Sequence, residues 1–285
     1  MPTAIIDGIS TRYEVIGDGP PVLMYSPGGF DAALDKWRTQ GIYADIQFLE
    51  ELPIRHTCVV FDRRETGKSG GRVERVEWRH YVAQGKGLLD HLGIDKAFVM
   101  GGCMGCSAAI AFGVALPDRT LGLVLFWPVG GARYRITGHQ RFAEHLAFVR
   151  QNGLEAVVEL ARSDTKSFGA DPRGGPWVSV IRNDPGFAER YVQNDPDEYR
   201  YLVAGMVRNL IDRDTAPGAE PEDLLRLKAP TLIIPGADAS HATSAARYLH
   251  ECIPGSDYWD IAVPRQTRNE VNAGVLEFLT KASAS

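Results

Sequence analysis

The residues best suited to chemistry lie in Val99-Met100-Gly101-Gly102-Cys103-Met104-Gly105-Cys106-Ser107. The core of this segment reads G-x-C-x-G, a thiol between glycines. A short apolar run precedes it and a helical pattern follows it. That context is a strand, a sharp turn and a helix, and a turn this tight leaves no room for flanking side chains. The helix that opens after Cys103 offers unpaired N–H groups and the positive end of its dipole. Such groups lower a thiol's pKa and hold an oxyanion. Cys103 is therefore the candidate nucleophile, against the plainer reading of a small residue packing a turn. Cys106, one helical turn on, reads as a packed core thiol rather than a resolving cysteine. Cys58 and Cys252 are isolated, so no zinc-ligand set forms around the C-x-x-C pair.

A nucleophile of this kind needs a general base. His241, in Asp238-Ala239-Ser240-His241, stands on a loop expected to point into the site, and Asp238, His241 or Glu65 could manage protons there. The plainer reading is a partly exposed histidine, or one capping a helix that begins near Thr243. His139 is a second candidate, able to reach down from a helical stretch. His56, His80, His91, His145 and His250 read as surface or helix-face residues. Glu65 sits among Arg63, Arg64 and Arg72 and reads as an ion-pair residue, with a catalytic carboxylate as the alternative. Gly67-Lys68-Ser69 ends like a phosphate-binding loop, but Asp62 stands where that motif needs its first glycine.

These residues must be positioned by elements, and the hydrophobic pattern supplies them. Short apolar runs ending in small or polar residues predict strands at Pro21–Tyr25, Thr57–Asp62, Ala97–Gly102, Leu121–Trp127, Pro230–Pro235 and Asp257–Val263. Ala4–Asp7 and Thr11–Val15 predict an antiparallel hairpin at the sheet edge. Helical patterns at His80–Leu92 and Ser107–Leu116 lie between strands, and this alternation predicts a mostly parallel sheet with helices on both faces. The alternation breaks over 128–227. That stretch predicts helices and loops, including amphipathic Gln140–Val149, inserted as a cap over the carboxyl ends of the strands. A separately folding domain is the alternative. The expected α/β core is then 1–127 with 228–285.

The chain resembles the α/β-hydrolase superfamily. The resemblance rests on the Cys103 segment, on Tyr25-Ser26-Pro27-Gly28-Gly29-Phe30, on Asp62-Arg63-Arg64-Glu65-Thr66-Gly67-Lys68-Ser69 and on Pro230-Thr231-Leu232-Ile233-Ile234-Pro235-Gly236-Ala237-Asp238. These match, in order, the nucleophile elbow, the first oxyanion loop, the turn after the next strand, and the strand and loop that bear the acid. The resemblance implies oxyanion donors at the backbone N–H of Met104 and at Gly29 or Phe30, with Ser26 in the usual histidine place of that loop. It also exposes two departures. The family commonly carries its base on the loop after the last strand, and here Val263–Asn272 holds no histidine, nor does anything after it. Asp238 stands one residue earlier than the usual acid.

Composition bounds the function. The 285 residues suffice for one large domain or two small ones, and 44% hydrophobic with 24% charged residues is ordinary for a globular chain. A net charge of −5 argues against nucleic acid as partner. No apolar run approaches membrane-spanning length and no signal peptide is evident, so a cytoplasmic location without membrane association is expected. No cofactor or metal is expected, since Gly17-Asp18-Gly19 is too short for a dinucleotide fingerprint. The expected partner is a small-molecule substrate, and a homodimer is left open. Aromatic residues of the insertion (Phe142, Phe148, Phe168, Trp177, Phe187, Tyr191, Tyr199 and Tyr201), with Trp127 at its entrance, imply either a largely apolar pocket or ordinary packing. The leading expectation is a hydrolase in which Cys103 attacks an activated ester, lactone or thioester. The alternatives are a lyase, isomerase or cyclase on the same fold, and an inactive binding protein.

Overall fold

The computed structural model describes residues 2–284. Eight strands form one sheet in the order β1-β2-β4-β3-β5-β6-β7-β8. They are β1 Thr3–Ile6, β2 Ile9–Ile16, β3 Pro21–Tyr25, β4 Thr57–Phe61, β5 Ala97–Gly102, β6 Thr120–Phe126, β7 Thr231–Ile234 and β8 Asp257–Tyr258. β1 and β2 form the expected antiparallel hairpin, and β2 runs antiparallel to β4. All other pairings are parallel.

The central strands carry apolar runs because both of their faces are covered. Leu23, Tyr25, Val59, Val99 and Leu125 face one layer, which includes the helices Trp78–His91 and Gly105–Ala115. Val22, Met24, Val60, Phe98, Met100 and Val124 face the other, with Trp37, Tyr43, Phe48 and the helix Arg268–Ser283. Each such side chain, fully buried, contributes about 1.5–3 kcal/mol. β8 is much shorter than the predicted Asp257–Val263. Its partner β7 has only four residues, and the chain turns into a 3₁₀ segment at Val263–Arg265.

The stretch between β6 and β7 is largely helical. It holds Ala132–Ser163, interrupted at Gly153 (φ 80°), then Val178–Asn183, Pro185–Tyr191, Pro196–Leu210 and Pro221–Leu224. Asp184 and Asp195 cap two of these helices through side-chain oxygens, each followed by a proline in the first turn. Trp177 Nε1 donates to Arg72 O at 2.9 Å and Asn183 Nδ2 to Gly67 O at 2.7 Å, tying this helical stretch to the segment after β4. No helix among the described residues is long and apolar enough to cross a membrane.

Two of the histidines read as surface or helix-face residues are buried. His56 is enclosed near the β4 start. His145 is fully enclosed in the insertion, where its ring bonds to Arg173 O at 3.0 Å and Tyr199 Oη at 2.6 Å. Burial lowers the His145 pKa to about 4. The amphipathic pattern missed it because its polar partners come from distant segments.

The elbow glycines are fixed by backbone proximity. A Cβ on Gly105 would lie 2.4 Å from Tyr25 O, and one on Gly101 would lie 2.3 Å from Gly105 O. Neither carbonyl can yield without moving a strand or helix. Gly105→Ala is therefore expected to cost about 2 kcal/mol of stability, read as a lowered midpoint in urea unfolding with unchanged slope.

Candidate active site

Cys103 follows the last residue of β5 and has φ 55°, in the left-handed region that an L-residue occupies only under constraint. The turn is fixed by Cys103 N–H donating to Phe126 O and by Cys106 N–H donating to Cys103 O. It leaves the Cys103 side chain half-buried on the wall of a cavity of about 220 Å³ at the carboxyl ends of the strands. Gly28, Gly29, Phe30, Met104 and His241 share that wall.

His241 reaches the thiol from the loop after β7. Asp238 shapes this loop by accepting the N–H groups of Ser240 (2.8 Å) and His241 (2.9 Å). Its carboxylate also meets His241 Nδ1 at 2.8 and 2.9 Å. One short turn thus orients the imidazole and fixes its tautomer. The loop is pinned from the neighbouring strand end, where Gly130 N–H donates to Ser240 O and Ala242 N–H to Gly130 O. This leaves Nε2 facing Cys103. It makes no hydrogen bond within ordinary geometric limits, yet lies close enough for thiol and ring to shift each other's titration. Loose contacts of this kind are common in unliganded sites and tighten on binding.

Electrostatics follow from that proximity. Burial pushes the Cys103 thiol up, but His241 and the backbone N–H groups of Gly28 and Met104 outweigh it, and the pKa falls below the ordinary value. Burial opposes charge on His241 too. The neighbouring Cys103 and Asp238 overcome it and raise the ring to about 9. Asp238 is lowered despite partial burial, chiefly by His241. Together the shifts run toward a thiolate–imidazolium pair beside a carboxylate. Its protons belong to the pair rather than to either residue.

The loop Ser26–Phe30 is oriented by a residue the sequence reading did not single out for the site. Arg63 is fully buried, and its Nη2 donates to the carbonyls of Gly28 and Gly29, the latter at 2.7 Å. In a trans peptide the carbonyl and the following N–H point in opposite directions. With those carbonyls turned to Arg63, the N–H groups of Gly29 and Phe30 point away from it. Gly28 permits this with φ 105°, and a Cβ there would meet Asp31 O at 2.7 Å. Among the described residues no carboxylate pairs with Arg63; its Nε and Nη1 have no partner, and its guanidinium lies over the Tyr81 ring at 5.1 Å. Sequence alone offered little signal, since Arg63 stands in a turn that also carries Asp62, Arg64, Glu65 and Lys68.

Several candidates lie elsewhere. Glu65 is buried behind this turn, bonded to Arg64 Nε at 2.9 and 3.0 Å and to Arg72 N–H, and burial raises it to about 7. It does not line the cavity. Ser26 is fully buried and spends its hydroxyl on Phe61 O at 2.7 Å. His139 is exposed, with Nε2 at 3.0 Å from Ile211 O, because its helix presents Gly138 to the cavity instead. Trp127, with φ 55°, turns its ring behind His241 rather than into the cavity. Cys106 is fully buried, donates to Gly101 O and Phe126 O, and is pushed well above the thiol range by burial. The phosphate-loop lookalike is a structural turn, in which Asp62 accepts Leu34 and Lys68 N–H and leaves no room for a Cβ at Gly67.

The insertion adds Tyr134, Arg141, Phe142 and Phe168 to the cavity wall. Phe30, Phe142 and Phe168 meet edge to face at 4.9–5.7 Å. Most other aromatics of the insertion pack on one another, as Trp177, Tyr191 and Tyr199 do, and Tyr201 is exposed.

No family model matches the chain. Over 161 residues it is 30% identical to the dihydrolipoyllysine-residue acetyltransferase component of the acetoin cleaving system of Cupriavidus necator, covering 56% of this chain and 40% of that protein. Against this and two further curated relatives the chain spans only 33–43% of their lengths. A longer match, 24% identical, covers 80% of this chain and 74% of the 2-hydroxy-6-oxo-6-phenylhexa-2,4-dienoate hydrolase of Comamonas testosteroni. The solved enol-lactonase of Burkholderia xenovorans superposes with a TM-score of 0.62 at 20% identity, covering 98% of this chain and all of that one. With this strand order, and this likeness across nearly its whole length, the chain has the α/β-hydrolase fold.

Proposed function

We propose that the protein is a hydrolase that uses Cys103 as nucleophile on a small, largely apolar activated ester, lactone or thioester. The observation that carries this is the line Cys103, His241, Asp238, which ends on a half-buried thiol in a cavity. Two of the similar proteins are named a hydrolase and a lactonase, which supports the reaction class. The insertion acts as a cap, walling the substrate with Phe142 and Phe168.

The steps follow from the charges. The Cys103 thiolate attacks the substrate carbonyl carbon, and the π electrons move to oxygen. The N–H groups of Met104 and of Gly29 or Phe30 hold that oxyanion. As the tetrahedral adduct collapses, His241 gives its proton to the departing oxygen or sulfur and leaves neutral. A thioester to Cys103 remains. Neutral His241 then takes a proton from water as that water attacks the thioester carbonyl. The second collapse expels Cys103 as thiolate, releases the acid and restores the imidazolium. The second step is where a base is indispensable, and His241 supplies what the loop after β8 lacks.

Three outcomes test this. Cys103→Ala abolishes turnover of p-nitrophenyl acetate. His241→Ala lowers kcat by about 10²–10⁴-fold and accumulates a species heavier by one acetyl group in intact-protein mass spectrometry, since deacylation suffers most. Wild-type turnover by Cys103→Ala, or no acyl species in either protein, overturns the nucleophile. Arg63→Met lets the carbonyls of Gly28 and Gly29 turn, and is expected to lower kcat by about 10²-fold with little change in KM. An equal effect on kcat and thermal stability in Arg63→Lys and Arg63→Met would instead mark Arg63 as a packing residue.

A further inference from the structure

The loop after β8 has no histidine, yet one of its side chains still reaches the site. Gln266 is almost fully buried. Its Nε2 donates to Pro235 O at 2.8 Å and to Ile261 O at 3.1 Å, and its Oε1 accepts Trp127 Nε1 at 2.6 Å. Both amide hydrogens and one carbonyl lone pair are thus spent on three segments that converge behind the site. Pro235 is the residue that launches the loop carrying Asp238 and His241.

Trp127 is the second part of the brace. Its φ of 55° turns the indole away from the β6 direction. The ring lies 5.5 Å from the His241 ring, tilted by 56°. Gly236 fits between them only because it lacks a side chain: a Cβ would lie 2.7 Å from His241 Cβ and 2.9 Å from Trp127 Cδ2. The imidazole therefore cannot swing back from Cys103 without displacing an indole that Gln266 holds. The titratable groups facing His241 are Cys103 on the elbow and Asp238 on its own loop. Tyr134 on the cavity wall and Tyr43 buried in the layer with Trp37 and Phe48 interact with Cys103, and Arg141 lines the same cavity.

We propose that Gln266 and Trp127 are positioning residues for His241, so that the loop after β8 supplies a brace where it lacks a base. The inference rests on the reading of Cys103 and His241 as the working pair. A residue that only packs the core lowers stability. A residue that holds the ring against the thiol also sets how readily the thiol ionises.

The test is the pH dependence of Cys103 alkylation by iodoacetamide, followed by peptide mass spectrometry, with kcat and KM for p-nitrophenyl acetate beside it. Gln266→Leu removes all three hydrogen bonds at similar volume, and Trp127→Phe keeps a ring and loses the N–H. Gln266→Leu is expected to move the thiol midpoint upward toward that of His241→Ala, slowing alkylation near neutral pH by about tenfold per unit moved. Trp127→Phe is expected to fall between wild type and Gln266→Leu, with kcat reduced more than KM is raised. Should Gln266→Leu fail to fold, Trp127→Phe decides alone. Profiles for the folded variants that superimpose on a low wild-type midpoint overturn this proposal and leave the pair intact. An ordinary thiol midpoint in the wild type overturns both.

Discussion

The proposed chemistry of the site depends on one electrostatic coupling, between a thiol and an imidazole that stand at neighbouring strand ends and shift each other's titration. A serine hydroxyl in the same elbow cannot be ionised by its surroundings, so serine chemistry needs a base poised at the moment of attack. A thiol starts near ~8.5 and is brought down by nearby N–H groups and a cation. The base is then relieved of the first step and matters most for the second. This lightens the demand on where the histidine comes from, provided its ring is firmly held. The turn Asp238–His241 meets that condition compactly, since one carboxylate shapes the loop and orients the ring.

Much of the sheet and the elbow was legible because it is written in local pattern. Buried parallel strands give unbroken apolar runs, and a nucleophile turn demands glycines at fixed spacing. Gly29, Phe30 and Met104, which the family resemblance implied as oxyanion donors, line the cavity. Less legible was anything set by contact between loops. That His241 faces Cys103 depends on the stitch between Gly130 and the β7 loop, which no periodicity reveals. Trp127, expected at the entrance of the pocket, does not line the cavity, because its positive φ turns it beside the histidine instead. Glu65 was correctly suspected of pairing with arginine, and burial with Arg64 places it outside the cavity.

Arg63 and Gln266 show how buried polar side chains shape backbone at a distance. Neither touches the cavity, and each bonds to main-chain carbonyls of a loop that does. Their types could not be interpreted from sequence because their partners are carbonyls, which every residue has. Arg63 bonds to the carbonyls of two successive peptides, whereas Gln266 bonds to the carbonyl of Pro235, from which the loop carrying His241 departs. The insertion contributes differently. Its aromatic residues serve mainly its own packing, and a few at the start of its first helix and near Phe168 define a small apolar chamber over the thiol.

The central claim is that Cys103 is ionised by its neighbours. The direct measurement is the thiolate ultraviolet absorbance as a function of pH, taken as the difference between wild type and Cys103→Ser. The account predicts one thiolate whose midpoint lies below that of an ordinary cysteine, ~8.5, and which rises when His241 is replaced by alanine. A midpoint at or above the ordinary value, unchanged in His241→Ala, would contradict it and leave Cys103 a structural thiol at the turn.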